Sequence, residues 1–126
     1  MKLTIFAAAA LAVASATAAF AEGDAAKGEK VFKKCKACHA VGEGAKNKVG
    51  PQLNGIVGAT AGMVDGFKYS DVMLAAGADG LVWDEANLSG YLTKPKDFMP
   101  GNKMSFAGLR KEADVANVIA YLQTQQ

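Results

Sequence analysis

Two cysteines and a histidine stand close together near the start of the chain, as Cys35, Cys38 and His39 in the pattern C-x-x-C-H. Thiols are nucleophilic, and a neutral imidazole is a good ligand for iron. The two intervening residues let both sulfurs reach neighbouring vinyl groups on one edge of a porphyrin, and they carry the next residue under the metal. The spacing therefore predicts one haem c attached through Cys35 and Cys38, with His39 as an axial iron ligand.

The residue inventory restricts the second axial ligand. His39 is the only histidine, and both cysteines already belong to the motif. A methionine, a lysine, water or no ligand remains for the sixth position of the iron. Outside residues 1–21 the methionines are Met63, Met73, Met99 and Met104. Composition does not choose among them, because a methionine is more often a flexible core side chain than a metal ligand.

A helix and a long loop flank the motif. Asp24 is a candidate N-cap for a helix that runs to about Lys34 and delivers Cys35. Residues 40–66 then contain seven glycines and Pro51, a composition typical of a loop. A loop of this length inside a compact domain usually serves function or wraps something, and here it would wrap the haem.

Two further helices are expected in the middle of the chain. A short one over residues 71–76 would follow Ser70 and end before Gly77. A second helix would be capped by Asp84 and stopped by the proline that follows Lys94. Both have the N-cap residue types that satisfy the first backbone N–H groups of a helix.

The last part of the chain is expected to contain a loop and then a final helix. Residues 98–104 carry a proline and a glycine and are predicted to form a turn or loop. Over about residues 112–124 the apolar positions follow an i, i+3, i+4, i+7 stripe, made by Val115, Val118, Ile119 and Leu122. Since no alternating strand pattern is visible, the predicted fold class is all-α, in a single domain.

Residues 1–21 match a secretory signal peptide. Lys2 gives the basic start, an apolar run follows from Leu3, and Ala19-Phe20-Ala21 is a small-x-small cleavage site. A retained membrane anchor is the alternative, but the cleavage pattern favours export to the periplasm. The functional domain would then span residues 22–126. Its near-neutral charge argues against nucleic-acid binding, since the whole chain carries a net charge of only +2.

From Gly23 to about Gln123 the sequence resembles the class I c-type cytochromes, the family of mitochondrial cytochrome c and the bacterial cytochrome c-two proteins. The resemblance rests on ordered motifs at family spacing: Cys35-Lys36-Ala37-Cys38-His39, Gly50-Pro51-Gln52-Leu53-Asn54-Gly55, Gly66-Phe67-Lys68-Tyr69-Ser70-Asp71, Trp83, Tyr91-Leu92 and Pro100-Gly101-Asn102-Lys103-Met104-Ser105-Phe106-Ala107-Gly108. It implies that residues 22–126 form a cytochrome c domain with the small class I fold. In that fold about four to five helices and long loops surround one covalent haem.

The resemblance also implies that the N- and C-terminal helices cross. Gly28 and Phe32 match the crossing positions of the first helix, and Val118 and Tyr121 are their counterparts in the last. A glycine at the crossing permits a close approach of the two helix backbones. This role is structural and concerns no chemistry.

The same resemblance assigns the axial ligands and their support. Met104 matches the distal sulfur ligand, and Met99 matches a neighbour that packs beside it. The carbonyl of Pro51 matches the acceptor for the second imidazole nitrogen of His39. Such partners fix the orientation of a ligand and tune the metal.

Three aromatic residues match positions in the haem environment. Tyr69 and Trp83 match residues whose polar hydrogens reach a haem propionate, and Tyr91 matches one whose hydroxyl lies near the methionine sulfur. Without the resemblance, each would be interpreted as an ordinary core residue, because aromatic side chains dominate the cores of small domains.

With both axial positions filled, the resemblance implies an electron-transfer protein and not an enzyme. The expected function is that of a soluble periplasmic carrier shuttling single electrons from a quinol–cytochrome c oxidoreductase to an acceptor such as a terminal oxidase or a photosynthetic reaction centre. Such a carrier would be a monomer without stable membrane insertion after signal cleavage. It would dock transiently through lysines at family contact positions, Lys34, Lys96 and Lys103.

Other classes of protein would use the same motif differently. A haem enzyme or gas-binding cytochrome needs a vacant or labile sixth iron position. A thiol–disulfide protein would use Cys35 and Cys38 without haem, but the alternating strand and helix pattern around such a motif is lacking and His39 would be unexplained. A zinc site offers only three nearby ligands where a structural site needs four.

Overall fold

A computed structural model describes residues 23–126, so the predicted signal peptide, residues 1–21, lies outside the described residues. Five helices follow in the order α1 (Ala25–Phe32), α2 (Asp71–Ala78), α3 (Glu85–Thr93), α4 (Pro95–Phe98) and α5 (Glu112–Gln123). Within this part of the chain, β pairing is limited to one antiparallel bridge between Thr60 and Val82. The predicted all-α class is therefore confirmed.

Helices α1 and α5 cross closely at a glycine. Gly28 is buried, and a Cβ atom at this position would overlap the backbone carbonyl of Asn117. The rings of Phe32 and Tyr121 pack beside it with centroids 5.4 Å apart, and the Asn117 side chain accepts a 2.8 Å hydrogen bond from the Asp24 N–H. The predicted crossing is present, although the nearest atoms to Gly28 belong to Asn117 and not to Val118.

The hydrophobic core contains the buried faces of α5 and α3 together with Trp83. All four residues of the predicted α5 stripe are buried, namely Val115, Val118, Ile119 and Leu122. From α3, Leu88 and Tyr91 are buried in the same cluster, and the Tyr91 ring lies 4.9 Å from that of Trp83. The period of 3.6 residues that predicted the last helix thus also identified its buried face.

Helix α1 ends at Phe32, two residues before the predicted end at Lys34. Tight i to i+3 turns continue from there, and the N–H of Cys35 donates to the Phe32 carbonyl at 2.8 Å. The first thiol is therefore delivered by the turns after the helix and not by the helix itself.

Helix α2 runs through Gly77, where the sequence analysis placed its end. The Ser70 hydroxyl caps its N-terminus as expected, accepting from the Met73 N–H at 3.2 Å. A Cβ atom at Gly77 would overlap the carbonyl of Ala61. The glycine therefore lets the helix pack against the long loop, and the prediction that it ends the helix was wrong.

Helix α3 begins after Asp84, whose side chain accepts from the Asn87 N–H at 2.8 Å, and it ends at Thr93, as predicted to within a residue. The four-residue α4 that follows was not predicted. Its first residue is Pro95, which suits this position because the first turn of a helix leaves its N–H groups unpaired. In the described part of the chain no helix is both long and apolar enough to cross a bilayer.

Candidate haem site

The turn after α1 holds both cysteines of the motif. The Cys38 and His39 N–H groups both donate to the carbonyl of Cys35, at 3.1 and 2.8 Å, so the three residues form one compact turn. Both thiols are free and half-buried. Burial raises the pKa of the Cys35 thiol, although the positive charge of Lys34 acts against this shift. The pair is thus held together and remains available for covalent bonds.

His39 is oriented by the backbone of the long loop. Its Nδ1 atom lies 2.7 Å from the carbonyl oxygen of Pro51. Because a carbonyl only accepts, Nδ1 carries the proton, and Nε2 is left as the unprotonated nitrogen that could bind a metal. Burial lowers the pKa of His39, the Pro51 hydrogen bond opposes this, and the charge of Lys48 adds to the lowering. The lowered pKa favours the neutral imidazole, which is the form that binds iron.

The four candidate methionines differ in their surroundings. Met63 is 71% exposed and Met99 is buried among core residues, whereas Met73 and Met104 are partly buried. The Met104 sulfur accepts a hydrogen bond from the Tyr91 hydroxyl, with the two atoms 4.0 Å apart. Burial raises the pKa of Tyr91 to about 12, so this hydroxyl is protonated and can donate at neutral pH. Met99 packs in the core as predicted. Met104 is the methionine whose sulfur accepts a side-chain hydrogen bond.

Tyr69 and Trp83 lie in different surroundings. The Tyr69 hydroxyl accepts a 3.0 Å hydrogen bond from the Val64 N–H and keeps its own proton free to donate. Trp83 is only 4% exposed and packs against Tyr91 and Phe98. Trp83 is therefore a core residue in any case, and its predicted contact with a propionate would be an additional role for its indole N–H.

Apolar side chains around the site are incompletely covered by protein. Helix α2 contains no buried residue, although its sequence is almost entirely apolar. Several other apolar residues reach the core but are only partly buried, among them Leu53, Ile56, Val57, Val72, Leu92 and Phe106. Water contact with so much apolar surface is unfavourable, and a large flat apolar group would remove it. Together with two thiols, an imidazole and a thioether, these residues fit a haem.

Two asparagines form two-ended amide contacts in the loops of this region, and neither is among the predicted site residues. Asn54 exchanges two 2.8 Å hydrogen bonds with the backbone of Gly42, one through each end of its amide. Asn102 is buried and accepts from the Met104 N–H at 2.9 Å. An asparagine that accepts from the N–H two residues later forms an Asx turn, and its position two residues before Met104 was the available signal.

The three predicted docking lysines, Lys34, Lys96 and Lys103, are all exposed. The Lys96 ammonium donates to the carbonyl of Asn102 at 3.1 Å, which brings it next to Lys103 on the loop that carries Met104. Lys34 stands beside Cys35 instead. Positive charge therefore flanks both segments of the candidate site.

Comparison with known proteins agrees with this arrangement. The family model described as Cytochrome c matches residues 25–126. The chain is 58% identical to cytochrome c2 of Agrobacterium tumefaciens over 101 residues, which cover 80% of this chain and 91% of that protein. It is 59% identical to cytochrome c-550 of Ancylobacter novellus over 99 residues, or 79% of this chain and 92% of the relative.

Solved structures are similar over the same region. Cytochrome c2 from Rhodospirillum centenum superposes with a TM-score of 0.78 at 44% identity, covering 82% of this chain and 98% of that one. Cytochrome cH from Methylobacterium extorquens gives a TM-score of 0.74 at 48% identity, with 81% of this chain and 99% of that one covered. The likeness thus extends over nearly the whole described region and includes both halves of the candidate site.

Proposed function

This chain belongs to the cytochrome c family, and from that membership we propose that it is a soluble periplasmic electron carrier whose iron is ligated by His39 and Met104. The family establishes the coarser function. The chain carries one haem c, attached at the C-x-x-C-H motif through Cys35 and Cys38, and it is an electron-transfer protein and not an enzyme. Residues 22–126 are assigned to the cytochrome c domain, and residues 1–21 to its export signal.

The observation that carries this proposal is the contact between Tyr91 and Met104. The hydroxyl of Tyr91 lies 4.0 Å from the Met104 sulfur and directs a weak hydrogen-bond donor toward it. Met63 is largely exposed, and Met99 is enclosed by the core. Met73 is partly buried like Met104, but its contact with Ser70 is made by its backbone N–H and does not involve its sulfur. His39, held by Pro51, supplies the other axial ligand with its Nε2 atom. The nitrogen donor is thus oriented by the long loop, and the sulfur donor is contacted by a side chain of α3.

The haem supplies a one-electron couple between ferric and ferrous iron. The chain's residues determine what this couple is used for. With His39 and Met104 both as ligands, no iron position would remain for oxygen or a substrate. A thioether ligand favours ferrous iron and raises the reduction potential. The partly buried apolar side chains of the loops would pack against the haem and limit the contact of water with the iron.

Partner recognition is assigned to the positive charge beside the site. Lys34 adjoins Cys35, while Lys96 and Lys103 lie on the loop of Met104. Exposed lysines steer an acidic partner and add little affinity, which suits a monomeric carrier that must leave quickly. The partners proposed are a quinol–cytochrome c oxidoreductase as donor and a terminal oxidase or photosynthetic reaction centre as acceptor.

Replacement of single methionines tests the ligand assignment. Met104→Leu should abolish the thioether-to-iron charge-transfer absorption of the ferric protein and allow the ferrous protein to bind carbon monoxide. Met63→Leu is the matched control, because this side chain is exposed, and its spectrum should equal that of the parent. A Met104→Leu protein that keeps the charge-transfer absorption would refute ligation by Met104.

A further inference from the structure

Asn102 is a buried polar side chain in the loop that carries Met104. It is 5% exposed, whereas its neighbours Gly101 and Lys103 are exposed. Apart from it, Ser70 is the buried polar residue of the described region, and Ser70 is explained by its role as the N-cap of α2. Burying an amide is costly unless its donors and acceptor find partners. The hydrogen-bond partners of Asn102 therefore indicate its structural role.

The Asn102 amide uses both of its ends. Its Nδ2 atom donates to the carbonyl of Pro95 at 2.9 Å and to that of Met99 at 2.8 Å. Its Oδ1 atom accepts from the Met104 N–H at 2.9 Å. The Asn102 carbonyl in turn accepts from the Lys96 ammonium at 3.1 Å. Three segments are joined through this one residue: the start of α4, the residue after α4, and the backbone of Met104.

The anchoring points of this network are firmly held. Pro95 is among the most completely buried side chains of the described region, and Met99 belongs to the hydrophobic core. Helix α4 has only four residues and forms a single turn, which is not stable on its own. The amide closes that turn and attaches the Met104 backbone to it. Movement of the Met104 backbone away from its place therefore requires breaking its hydrogen bond with Asn102.

We infer that Asn102 is a positioning residue, which holds Met104 toward the iron and determines how readily another ligand takes the sixth position. The inference rests on the proposed function, in which Met104 is that ligand. Asn102 itself does not touch the iron. It acts through the backbone of Met104, so its loss should open the site and not merely weaken the fold.

Imidazole binding to the ferric holoprotein measures this opening. Asn102→Ala removes both donors and the acceptor, and the affinity for imidazole should rise about tenfold or more, because several hydrogen bonds that favour the closed loop are lost. Asn102→Ser keeps a hydroxyl that can accept from the Met104 N–H but cannot serve both carbonyls. Its imidazole affinity should lie between those of the parent and Asn102→Ala.

Asn54→Ala is the matched control. Asn54 makes a similar two-ended amide contact, with Gly42 on the other loop, and the contact does not involve Met104. This variant should lose stability to denaturant while its imidazole affinity stays that of the parent. An equal rise in Asn54→Ala and Asn102→Ala would overturn the inference, since general loosening would then explain both.

An unchanged imidazole affinity in Asn102→Ala would also overturn the inference that Asn102 positions Met104. If that variant yields no holoprotein, Asn102→Ser is compared with the parent on the same criterion. Failure of the proposed function has a different signature. In that case the parent protein itself would lack the thioether-to-iron absorption, whatever stands at residue 102.

Discussion

The Nδ1 atom of His39 donates a 2.7 Å hydrogen bond to the carbonyl oxygen of Pro51, and Gly50 lies directly against the same imidazole ring. The hydrogen bond sets the tautomer, and the glycine allows the backbone to come close enough to form it. The N–H of Gly50 donates to the Cys38 carbonyl at 2.8 Å, so the loop is also attached to the motif. One short stretch of loop thereby determines where the imidazole points.

Gly50→Ala should disturb this arrangement strongly. A Cβ atom there would overlap the His39 ring, while the backbone of Gly50 does not require a glycine conformation. The holoprotein should lose more than about 2 kcal/mol in its free energy of unfolding, as overpacked sites do. Gly44→Ala is the control, because a Cβ atom there would meet no other atom. Its φ of +73° adds only backbone strain of about 1–2 kcal/mol. Guanidinium unfolding followed by haem absorbance measures both; equal losses would contradict the steric account.

Gly28→Ala tests the crossing of α1 and α5. Alanine favours a helix by about 1 kcal/mol over glycine, yet the new Cβ would overlap the Asn117 carbonyl. Since overpacking costs up to about 3 kcal/mol, we expect a net loss of up to about 2 kcal/mol in the free energy of unfolding. The optical spectra of the haem should be unchanged. Gly90→Ala is the control, because its new Cβ would meet only the side-chain ring of Phe98. Thermal unfolding should show a smaller loss of stability in this variant than in Gly28→Ala. A Gly28→Ala protein as stable as the parent would refute the close crossing.

Tyr91→Phe tests the influence of the hydroxyl on the Met104 sulfur. A hydrogen bond withdraws electron density from the sulfur, so its loss makes the thioether a stronger donor and favours ferric iron. The midpoint potential should fall by about 20–40 mV, the equivalent of one weak hydrogen bond. Tyr121→Phe is the matched control, because that ring packs on Phe32 at the helix crossing. Potentiometric titration should show no shift in the control; a Tyr91→Phe potential equal to that of the parent would rule out this tuning.

Replacing Lys34, Lys96 and Lys103 together by glutamine tests the docking surface. With a purified bacterial terminal oxidase as acceptor, the KM for the ferrous protein should rise about three- to tenfold and become less sensitive to salt, because exposed charges each contribute little. The kcat should stay unchanged. Lys27→Gln, an exposed residue on α1, should leave KM unaltered. If the triple variant and this control behave alike, docking does not depend on these lysines.

The sequence was most informative where a pattern is local. The spacing of Cys35 and His39 predicted the haem attachment without any tertiary information, and the apolar period identified α5 with its buried face. Helix caps such as Asp84 were also predictable, because the cap and the N–H that it accepts are three residues apart.

Features that depend on distant partners were not predictable in this way. Gly77 looked like a helix end, because nothing local shows that the Ala61 carbonyl occupies the place of its side chain. Helix α4 is too short to show a hydrophobic period. The role of Asn102 depends on carbonyls that this unpredicted helix brings together, so only its Asx turn with Met104 was visible in the sequence.

Addition of carbon monoxide to the reduced holoprotein at neutral pH shows whether the sixth iron position is closed. With His39 and Met104 as ligands, we expect the ferrous spectrum to stay unchanged and the ferric protein to show the thioether-to-iron absorption. Rapid formation of a carbon monoxide adduct would contradict it, because the sixth position would then be open. The chain would in that case be a ligand-binding cytochrome and not a closed electron carrier.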